Sequence, residues 1–589
     1  MTGKRWVLPA PVDYQLVRSL EAEFPLHRLL IEILVRRGVS DPVAVDRFIH
    51  PRLEHLHDPF LLPGMEAAVS RVVRAVSGGE QISVFGDYDV DGVTSTALLL
   101  RFFRAIGAKT DFFIPHRSHD GYGLSMDALK EARNRGTSVV ITVDNGIADV
   151  EEVAWAQANG IDMIVTDHHQ VPESAPVAHA VVNPHLEGSQ FPFPLLCGCG
   201  VAFNLAMAVR RRLRDQGYFT AGREPPNLKD LIPYAALGTV ADVVPLTDEN
   251  RIFVKYGLQM MEKTADPGLK ALIQVSGADG RELSARDIGF GLAPRLNAAG
   301  RMSFARDGVE LLTTTDEEKA RELARILNDQ NSERRSVEAQ ILTEAVELVE
   351  ANGLLRDRKA IVVWKEGWHP GVIGIVAARL VDKYYRPTVV LAVEDGKAKG
   401  SCRTIPTYNI YEGLRFAHQP GSGATHGEGL FESFGGHKFA AGLTLETGRL
   451  SLFYDRLDQN VRKWTSEESF TPELRADAVI NVNDVTPELV HELARLKPFG
   501  VMNEPPVFIV QGGQIRWPKV LKEAHLKFRL SDPTGRSVDV IGFRMGEGID
   551  AADMNGRAAE VAGYLELNHY PPDNPSPSVQ IRMLDYRLS

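Results

Sequence analysis

Four short segments carry side chains able to do metal chemistry. Asp87, Asp89 and Asp91 alternate in GDYDVDG, and Asp144 opens Asp144-Asn145-Gly146. Asp167, His168 and His169 are consecutive, and Asp242 lies in ALGTVADVVPL. Several carboxylates gathered in one place cannot all ionise without a counter-charge, and a pair of divalent cations is the obvious one. Mixed carboxylate and imidazole donors favour Mn²⁺ or a similar first-row ion, with Mg²⁺ admissible where oxygens dominate. Two such ions roughly 3.5–4 Å apart would activate a water and stabilise the leaving oxygen of a phosphoester. Singly, each segment is ordinary. Asp-x-Asp-x-Asp-Gly also begins a calcium loop, but Leu98 stands where that loop requires Glu. Asp-Asn-Gly is a common turn, and of two adjacent histidines one is often exposed and the other packed. The combination is specific although no member is.

The elements that must position these groups follow a regular rhythm. A β-rich run from Ile82 to Phe85 breaks into GDYDVDG, and the helical VTSTALLLRFFRAIG follows. After the helix around MDALKEARNRG, the run SVVITV breaks at Asp144. IADVEEVAWAQANG then leads to IDMIVT, which breaks at Asp167. Strand, turn, helix and strand at this spacing predict a parallel sheet with crossover helices. Each chemical cluster falls just after a strand, and in an open parallel sheet those strand ends share one edge, where ligands bind. Residues far apart in sequence are therefore expected to converge.

Around this core the chain divides further. Residues 1–75 read as a mostly helical lead-in, for example LHRLLIEILVRRG. From Asp316 to Ala351 one polar stretch without Gly or Pro predicts a single helix, about 50 Å long at 1.5 Å per residue and suited to bridging domains. A second α/β segment begins at KAIVVWKEGWHPGVIGIVAARLVDKY and closes with the glycine-rich GATHGEGLFESFGGHKFAAG. The last segment holds short strand-like runs, PVFIVQGG, LKFRLSD, VDVIGF, AEVAGYLEL and VQIRMLDYRL, which suggest a small barrel such as an OB-fold. PPDNPSPS at 571–578 reads as a surface loop. The expected division is 1–75 lead-in, 76–314 catalytic domain, 315–352 connecting helix, 353–464 second α/β domain and 465–589 barrel.

Composition sets outer bounds. With 589 residues, 44% apolar and 24% charged, the chain is long enough for several cores and excludes collagen, a disulfide scaffold and wholesale disorder. Sixty-six basic against 77 acidic residues give a net charge of −11, so any nucleic-acid surface must be a local basic channel. Cys197, Cys199 and Cys402 cannot build a disulfide framework, and Cys-Gly-Cys is too short for half a zinc site; these are expected to be buried inert thiols in a cytoplasmic protein. The first residues lack the apolar core of a secretory signal, and no run approaches the ~18 apolar residues of a membrane span. Arg210, Arg211, Arg212 and Arg214 read as the solvated face of a helix.

The motifs resemble those of the DHH phosphoesterase superfamily. Asp167-His168-His169 is similar to the signature that names it, GDYDVDG to its first motif, and Asp144-Asn145-Gly146 and Gly238-Thr239-Val240-Ala241-Asp242-Val243 to its second and fourth. Gly435-Gly436-His437-Lys438-Phe439-Ala440-Ala441-Gly442 resembles the signature of the DHH-associated C-terminal domain. The resemblance implies an α/β protein: a parallel-sheet DHH phosphoesterase domain, joined by the long helix to a smaller α/β DHH-associated domain and followed by the β-barrel (OB-fold) domain. It implies Asp89, Asp91, Asp144, His168 and Asp242 as metal ligands, with Asp87 a ligand or support, and Asp144, His168 and His169 as the catalytic groups, His169 meeting the scissile phosphate. Phosphatase relatives carry a histidine where this chain has Phe85, so the first metal is expected to recruit Asp87 or a water. Met502 stands where relatives often have Gly, which bears on a turn.

Within the superfamily, Ala293-Pro294-Arg295-Leu296-Asn297-Ala298-Ala299-Gly300-Arg301, the long helix and the final barrel resemble the single-strand-specific DNA exonucleases. That likeness implies 5′-to-3′ hydrolysis of single-stranded DNA to mononucleotides in repair and recombination, by a monomer that meets a single-strand-binding protein and a repair helicase. Arg295, Asn297, Arg301, Arg403, Gly435, Gly436 and His437 are the expected substrate contacts, while Trp368 and His369 could stack or merely pack. In the barrel, Arg516, Lys519, Lys522, Lys527, Arg529, Arg536 and Arg544 are interleaved with Trp517, Phe528 and Phe543, which suits sequence-tolerant strand binding. Two other readings stay open: a phosphodiesterase of cyclic dinucleotides or short oligonucleotides, and a noncatalytic replication scaffold.

Overall fold

The computed structural model describes residues 3–115, 123–302, 304–351, 353–419, 429–568 and 577–588. The chain forms two compact units, one of residues 8–330 with 476–589, the other of 1–7 with 331–475. In the first unit, β1 (Gln81–Gly86), β2 (Lys109–Phe113), β3 (Thr137–Val143), β4 (Asp162–Thr166) and β5 (Ala180–Val182) form a parallel sheet in the order β2-β1-β3-β4-β5. β1, β3 and β4 are buried almost throughout, as strands with helices on both faces must be. The β-branched runs at 82–85, 138–143 and 161–166 are therefore strands, as expected. β2 and β5, which the sequence pattern does not mark, lie at the edges.

The barrel belongs to the same unit. β11 (Ala478–Asn481), β12 (Phe508–Leu521), β13 (His525–Ser531), β14 (Ser537–Gly542), β15 (Ala558–Asn568) and β16 (Ser578–Leu588) pair in the order β11-β12-β13-β14-β16-β15, and β12 pairs with β15 to close five of them. Residues 571–576 of the expected surface loop lie outside the described residues. The N-terminal segment divides between two cores. Helices Tyr14–Glu23, Arg28–Arg36 and Pro42–Ile49 bury Val17, Leu20, Leu30, Ile33, Leu34 and Phe48 with the barrel's Phe508, Phe528 and Ile581. Helix Met65–Gly78 instead packs into the core of the parallel sheet. Arg211 and Arg212 lie over Phe60 and pair with Asp58 and Glu66 at 3.3 and 2.7 Å, so that face is partly spent on ion pairs.

The helix Glu317–Ala351 is continuous over 35 residues. Its first half sends Ala320, Leu323, Ala324 and Leu327 into the parallel-sheet core, and its second half sends Ile341, Ala345 and Val349 into another core with Val363 and Trp368. That second core belongs to a sheet of β6 (Ile361–Glu366), β7 (Thr388–Glu394), β8 (Lys397–Arg403), β9 (Ser433–Gly436) and β10 (Ala440–Glu446), ordered β9-β10-β8-β7-β6. Strand Arg5–Val7 pairs in parallel with Glu473–Arg475 in this unit. Trp368 is buried and donates Nε1–H to Glu344 on the long helix at 2.7 Å, so it packs rather than stacks on a ligand.

Candidate metal centre

The parallel sheet delivers three of the four segments. Asp87, Asp89 and Asp91 follow β1, Asp144 follows β3, and Asp167, His168 and His169 follow β4. Asp242 arrives separately, at the C-terminal end of helix Ile232–Ala241. The convergence is dense: donor atoms of Asp87, Asp89 and Asp144 lie within 4.8 Å of one another, as do those of Asp91, His168 and Asp242, and those of Asp144, His168 and His169. Asp144 and His168 each belong to two of these sets. His168 Nε2 stands 3.0 Å from Asp144, 3.6 Å from Asp242 and 3.8 Å from Asp91.

Local structure explains how the groups are held. Asp89 caps the helix Val90–Ala105, its carboxylate accepting from the N–H groups of Asp91 and Gly92 at 2.8 and 3.1 Å. Asp91, in the first turn of that helix, is 1% exposed and accepts from the N–H groups of Gly198 and Cys199 at 2.6 and 2.9 Å. These are the first amides of helix Gly198–Asp215, whose positive end favours a carboxylate. Two glycines permit this approach. A Cβ on Gly198 would meet Asp144 Cβ at 2.6 Å, and one on Gly238 would meet Asp91 Oδ1 at 2.5 Å. Asp144 itself adopts φ 62, a left-handed conformation uncommon outside glycine and typical of strained functional positions.

Electrostatics match the geometry. Burial raises Asp91 to about 7 and the neighbouring Asp89 adds to the rise. Burial and then Asp91 and Asp89 raise Asp242 to about 9. Asp144 rises well above the carboxylate range by burial and by the charges of Asp91, Asp89, Asp87 and Asp242. Carboxylates that repel one another this strongly require a positive counter-charge, and the donor set of oxygens with one or two imidazoles is that of a divalent-cation site. Burial lowers His168 to about 4, with His169 contributing, so its imidazole is neutral and able to ligate. Burial opposes a charge on His169, but the hydrogen bond and charge of Asp167 outweigh it and lift the imidazole to about 9.

Asp167 has an orienting role that its sequence position did not disclose. It accepts from His169 Nδ1 at 2.8 Å, from the N–H groups of His168 and His169 at 2.7 and 3.0 Å, and from Ile147 N–H at 3.0 Å. Fully buried Asn183 donates to the His169 carbonyl at 2.9 Å. Cys197 and Cys199 are buried thiols, pushed well above their ordinary range by burial, as expected. The segment serves the site through the backbone amides of Gly198 and Cys199 and through the Cys197 side chain, all of which hydrogen-bond Asp91. Phe85 is core, its ring tilted against that of Phe113 with centroids 5.2 Å apart, and Asp87 belongs to one of the donor sets.

The expected substrate contacts fall in several places. Arg295 is 8% exposed, and its guanidinium donates to the carbonyls of Gly291 and Val275 at 2.7 and 2.9 Å and to Asn328 at 3.1 Å. It braces the helix Ala293–Met302, and a phosphate would have to displace those acceptors. Gly300 is needed where that helix abuts the first motif, since a Cβ would meet the Tyr88 carbonyl at 2.4 Å; it serves packing, not approach to a phosphate. Arg301 is half-buried at the end of the same helix. Asn297 lines a groove of about 1230 Å³ beside Asp242, together with Val240, Val243, Phe290 and, on the barrel, Tyr564. Phe290 is 67% exposed on a π-helical turn, Ile288–Leu292.

In the other unit, Gly435, Gly436 and His437 are exposed on and after the edge strand β9. Arg403 ends β8 beside Ser401, with Nη1 donating to the Cys402 carbonyl at 2.8 Å. On the barrel, Trp517 and Phe543 are exposed, whereas Phe528 is 1% exposed and belongs to the core, so it offers no stacking platform. Met502 adopts φ 58, the strained turn that a missing Gly implied.

Comparison with known proteins accords with this architecture. Residues 81–239 match the DHH family, N-terminal domain, residues 357–463 the DHHA1 domain and residues 476–585 the RecJ OB domain. The single-stranded-DNA-specific exonuclease RecJ of Bacillus subtilis (strain 168) is 37% identical over 570 residues, covering 96% of this chain and 69% of that protein. The RecJ of Escherichia coli (strain K12) is 36% identical over 565 residues, 94% of each. The crystal structure of RecJ from Thermus thermophilus in complex with Mn²⁺ superposes with a TM-score of 0.81 at 30% identity, covering 99% of this chain and 79% of that one. Its Mg²⁺ complex gives 0.76 at 28%, covering 99% and 78%. Among the described residues no helix is long and apolar enough to cross a membrane. The chain belongs to the RecJ family of the DHH phosphoesterase superfamily.

Proposed function

We propose that this protein is a metal-dependent exonuclease that hydrolyses single-stranded DNA from the 5′ end and releases mononucleotides. The observation that carries the reading is the convergence of Asp87, Asp89, Asp91, Asp144, His168 and Asp242 into overlapping donor sets. Asp87, Asp89 and Asp144 would hold one cation, and Asp91, Asp144, His168 and Asp242 the other, Mn²⁺ foremost and Mg²⁺ as alternative. When bound, the pair supplies a nucleophile at neutral pH and positive charge at the phosphate. His169, charged at neutral pH and fixed through Nδ1 by Asp167, donates from Nε2 to a phosphate oxygen as negative charge develops.

Arg403, Gly435, Gly436 and His437 bind the strand. Asn297 and Arg301 sit on the helix that abuts the first motif, and Arg295 contributes by bracing that helix. The groove with exposed Phe290 suits a single unpaired strand, whose bases can stack. The exposed Trp517 and Phe543, with Arg529 over the Trp517 ring, suit binding of the strand further along. The division 1–75, 76–314, 315–352, 353–464 and 465–589 serves as the working domain map, with the helices between Tyr14 and Ile49 grouped with the barrel they pack on. A cytoplasmic monomer acting beside a single-strand-binding protein and a repair helicase completes the proposal.

The test is digestion of long end-labelled single-stranded DNA with either end blocked in turn, under Mn²⁺ and under Mg²⁺. Release of labelled mononucleotides from a free 5′ end, abolished by blocking that end, is expected. Degradation only of dinucleotides, or only from a 3′ end, overturns the reading.

A further inference from the structure

The segment that supplies Asp242 continues away from the cation site and is fastened to the approach to the barrel. The Leu246 N–H donates to the Val501 carbonyl at 2.8 Å, and Gly500 lies so close that a Cβ there would meet Leu246 Cδ1 at 2.5 Å. Further along, in helix Asp248–Met261, Arg251 is 1% exposed. Its Nε donates to the Phe48 carbonyl at 2.9 Å, Nη1 to those of Leu496 and Pro498 at 2.9 and 3.4 Å, and Nη2 to those of Arg495 and Lys497 at 3.3 and 2.7 Å. The guanidinium also lies 4.0 Å from the centre of the Phe48 ring. Four of the five acceptors follow the helix Pro487–Ala494, where the negative end of the helix favours a cation.

Asn503 closes the same segment. Its Nδ2 donates to the carbonyls of Leu496 and Pro498, both at 2.8 Å, and its Oδ1 accepts from Arg37 at 2.7 Å. Segment 495–503 is thus a stiff hub, and both Leu246 and Arg251 are anchored to it. Between those anchors and Asp242 stands Val243 at φ 61, a conformation a β-branched residue adopts only when the chain on both sides is fixed.

We propose that Arg251 is a positioning residue for Asp242: the hub 495–503, gripped by Arg251 and Leu246, holds the Val243 turn and thereby places the Asp242 carboxylate in the cation site. The inference rests on the reading of Asp242 as a metal ligand. Docking of the barrel approach and completion of the donor set then form one cooperative event, although Arg251 touches neither cation nor DNA.

The test is Mn²⁺ binding by calorimetric titration of the full chain without DNA. Arg251→Lys, Gly500→Ala, Asp242→Ala and the double variant Arg251→Lys with Asp242→Ala are compared with the parent chain. Lysine offers three donors in place of five and cannot reach all five carbonyls. Arg251→Lys and Gly500→Ala should each weaken Mn²⁺ binding about tenfold, the low end for loss of a group that orients a ligand. Asp242→Ala should weaken it at least as much, and the double variant no further. Parental affinity in Arg251→Lys beside a weakened Asp242→Ala overturns the coupling, as does additive loss in the double variant. Parental affinity in Asp242→Ala overturns the ligand assignment instead. A circular dichroism melt identifies any variant that does not fold; should Arg251→Lys be one, the affinity of Gly500→Ala decides in the same way.

Discussion

Replacing Gly238 by Ala should cripple catalysis while leaving the protein folded. The added Cβ would meet Asp91 Oδ1 at 2.5 Å, Cys199 Cβ at 2.6 Å and Thr94 Oγ1 at 2.8 Å, against an ordinary contact of 3.4 Å or more. None of the three is the loose end of a flexible chain. Asp91 is held by two amides, Cys199 is in the first turn of its helix, and Thr94 donates to the Val90 carbonyl at 2.8 Å. Relief therefore requires the Asp91 carboxylate or the helix Ile232–Ala241 to move by nearly 1 Å, and overpacking of this kind costs about 1–3 kcal/mol. In a chain this long that lowers the melting temperature by only a few degrees. A displacement of about 1 Å in a catalytic constellation, however, costs on the order of 100-fold in rate. The assay is kcat on end-labelled single-stranded DNA at saturating Mn²⁺, beside a thermal melt of the same preparation. The opposite outcome is well defined: Gly to Ala inside a helix with open space is worth up to ~1 kcal/mol of added stability. A Gly238→Ala variant that melts higher and cleaves at the parental rate would refute the close-packed account of Asp91.

Further expectations follow from the same geometry. Asp144→Ala and His168→Ala should each reduce hydrolysis below detection while single-strand binding, read by fluorescence anisotropy, stays within a few-fold. Adding Mn²⁺ to chelator-treated protein at about 100 times its dissociation constant should stabilise it by ~2.7 kcal/mol, a gain that Asp144→Ala largely loses in a thermal melt. Trp517→Ala should weaken binding of long strands by ~1–3 kcal/mol with an unchanged salt slope, since it removes stacking and no charge. Glu249 is fully buried, and burial raises its carboxyl from the usual 4.5 to about 7 despite the His57 N–H at 2.6 Å. A folded-state value above the unfolded one means the folded protein holds that proton more tightly. Its contribution is therefore favourable at low pH and is lost as pH rises from about 4.5 through 7. Melts across that window should show a stability decline in the parent that is shallower in Glu249→Gln.

The candidate donors at the sheet edge were legible because strands buried on both faces leave a continuous apolar trace that ends abruptly at a polar turn. Ile82–Phe85, the run before Asp144 and the run before Asp167 each do so, and parallel topology brings their ends together. The edge strand Lys109–Phe113 left no such trace, because KTDFF is short and half-exposed. The amphipathic faces of the N-terminal helices were readable, but periodicity says only that a face is covered. Here the cover is a barrel encoded more than four hundred residues later. The setting of Arg295 was not legible, because a charge in sequence suggests solvent, whereas its guanidinium donates to carbonyls inside the protein. Phe528 is inward for a reason the sequence carries: Leu526, Phe528 and Leu530 alternate inward along β13 with the period of two of a strand.

Asp91 and Asp242 show why part of the site stays hidden even when its candidate donors are named. Asp91 faces the amide end of the helix Gly198–Asp215, where the partial positive charge favours a carboxylate. Asp242 caps the carbonyl end of helix Ile232–Ala241, where the partial negative charge opposes one. One position is supported by local backbone chemistry; the other has to be imposed. The next residue, Val243, adopts a conformation that its own side chain disfavours, so local preference supplies nothing toward the placement. The compensating contacts lie in Leu246 and Arg251, whose partners come from residues 495–501 and Phe48. A motif marks the carboxylate but not the distant carbonyls that fix it. On the proposal that Asp242 is a ligand, the affinity of the cation site is governed by its least supported donor, and damage to the barrel approach should register at Asp242 before it registers at the sheet edge.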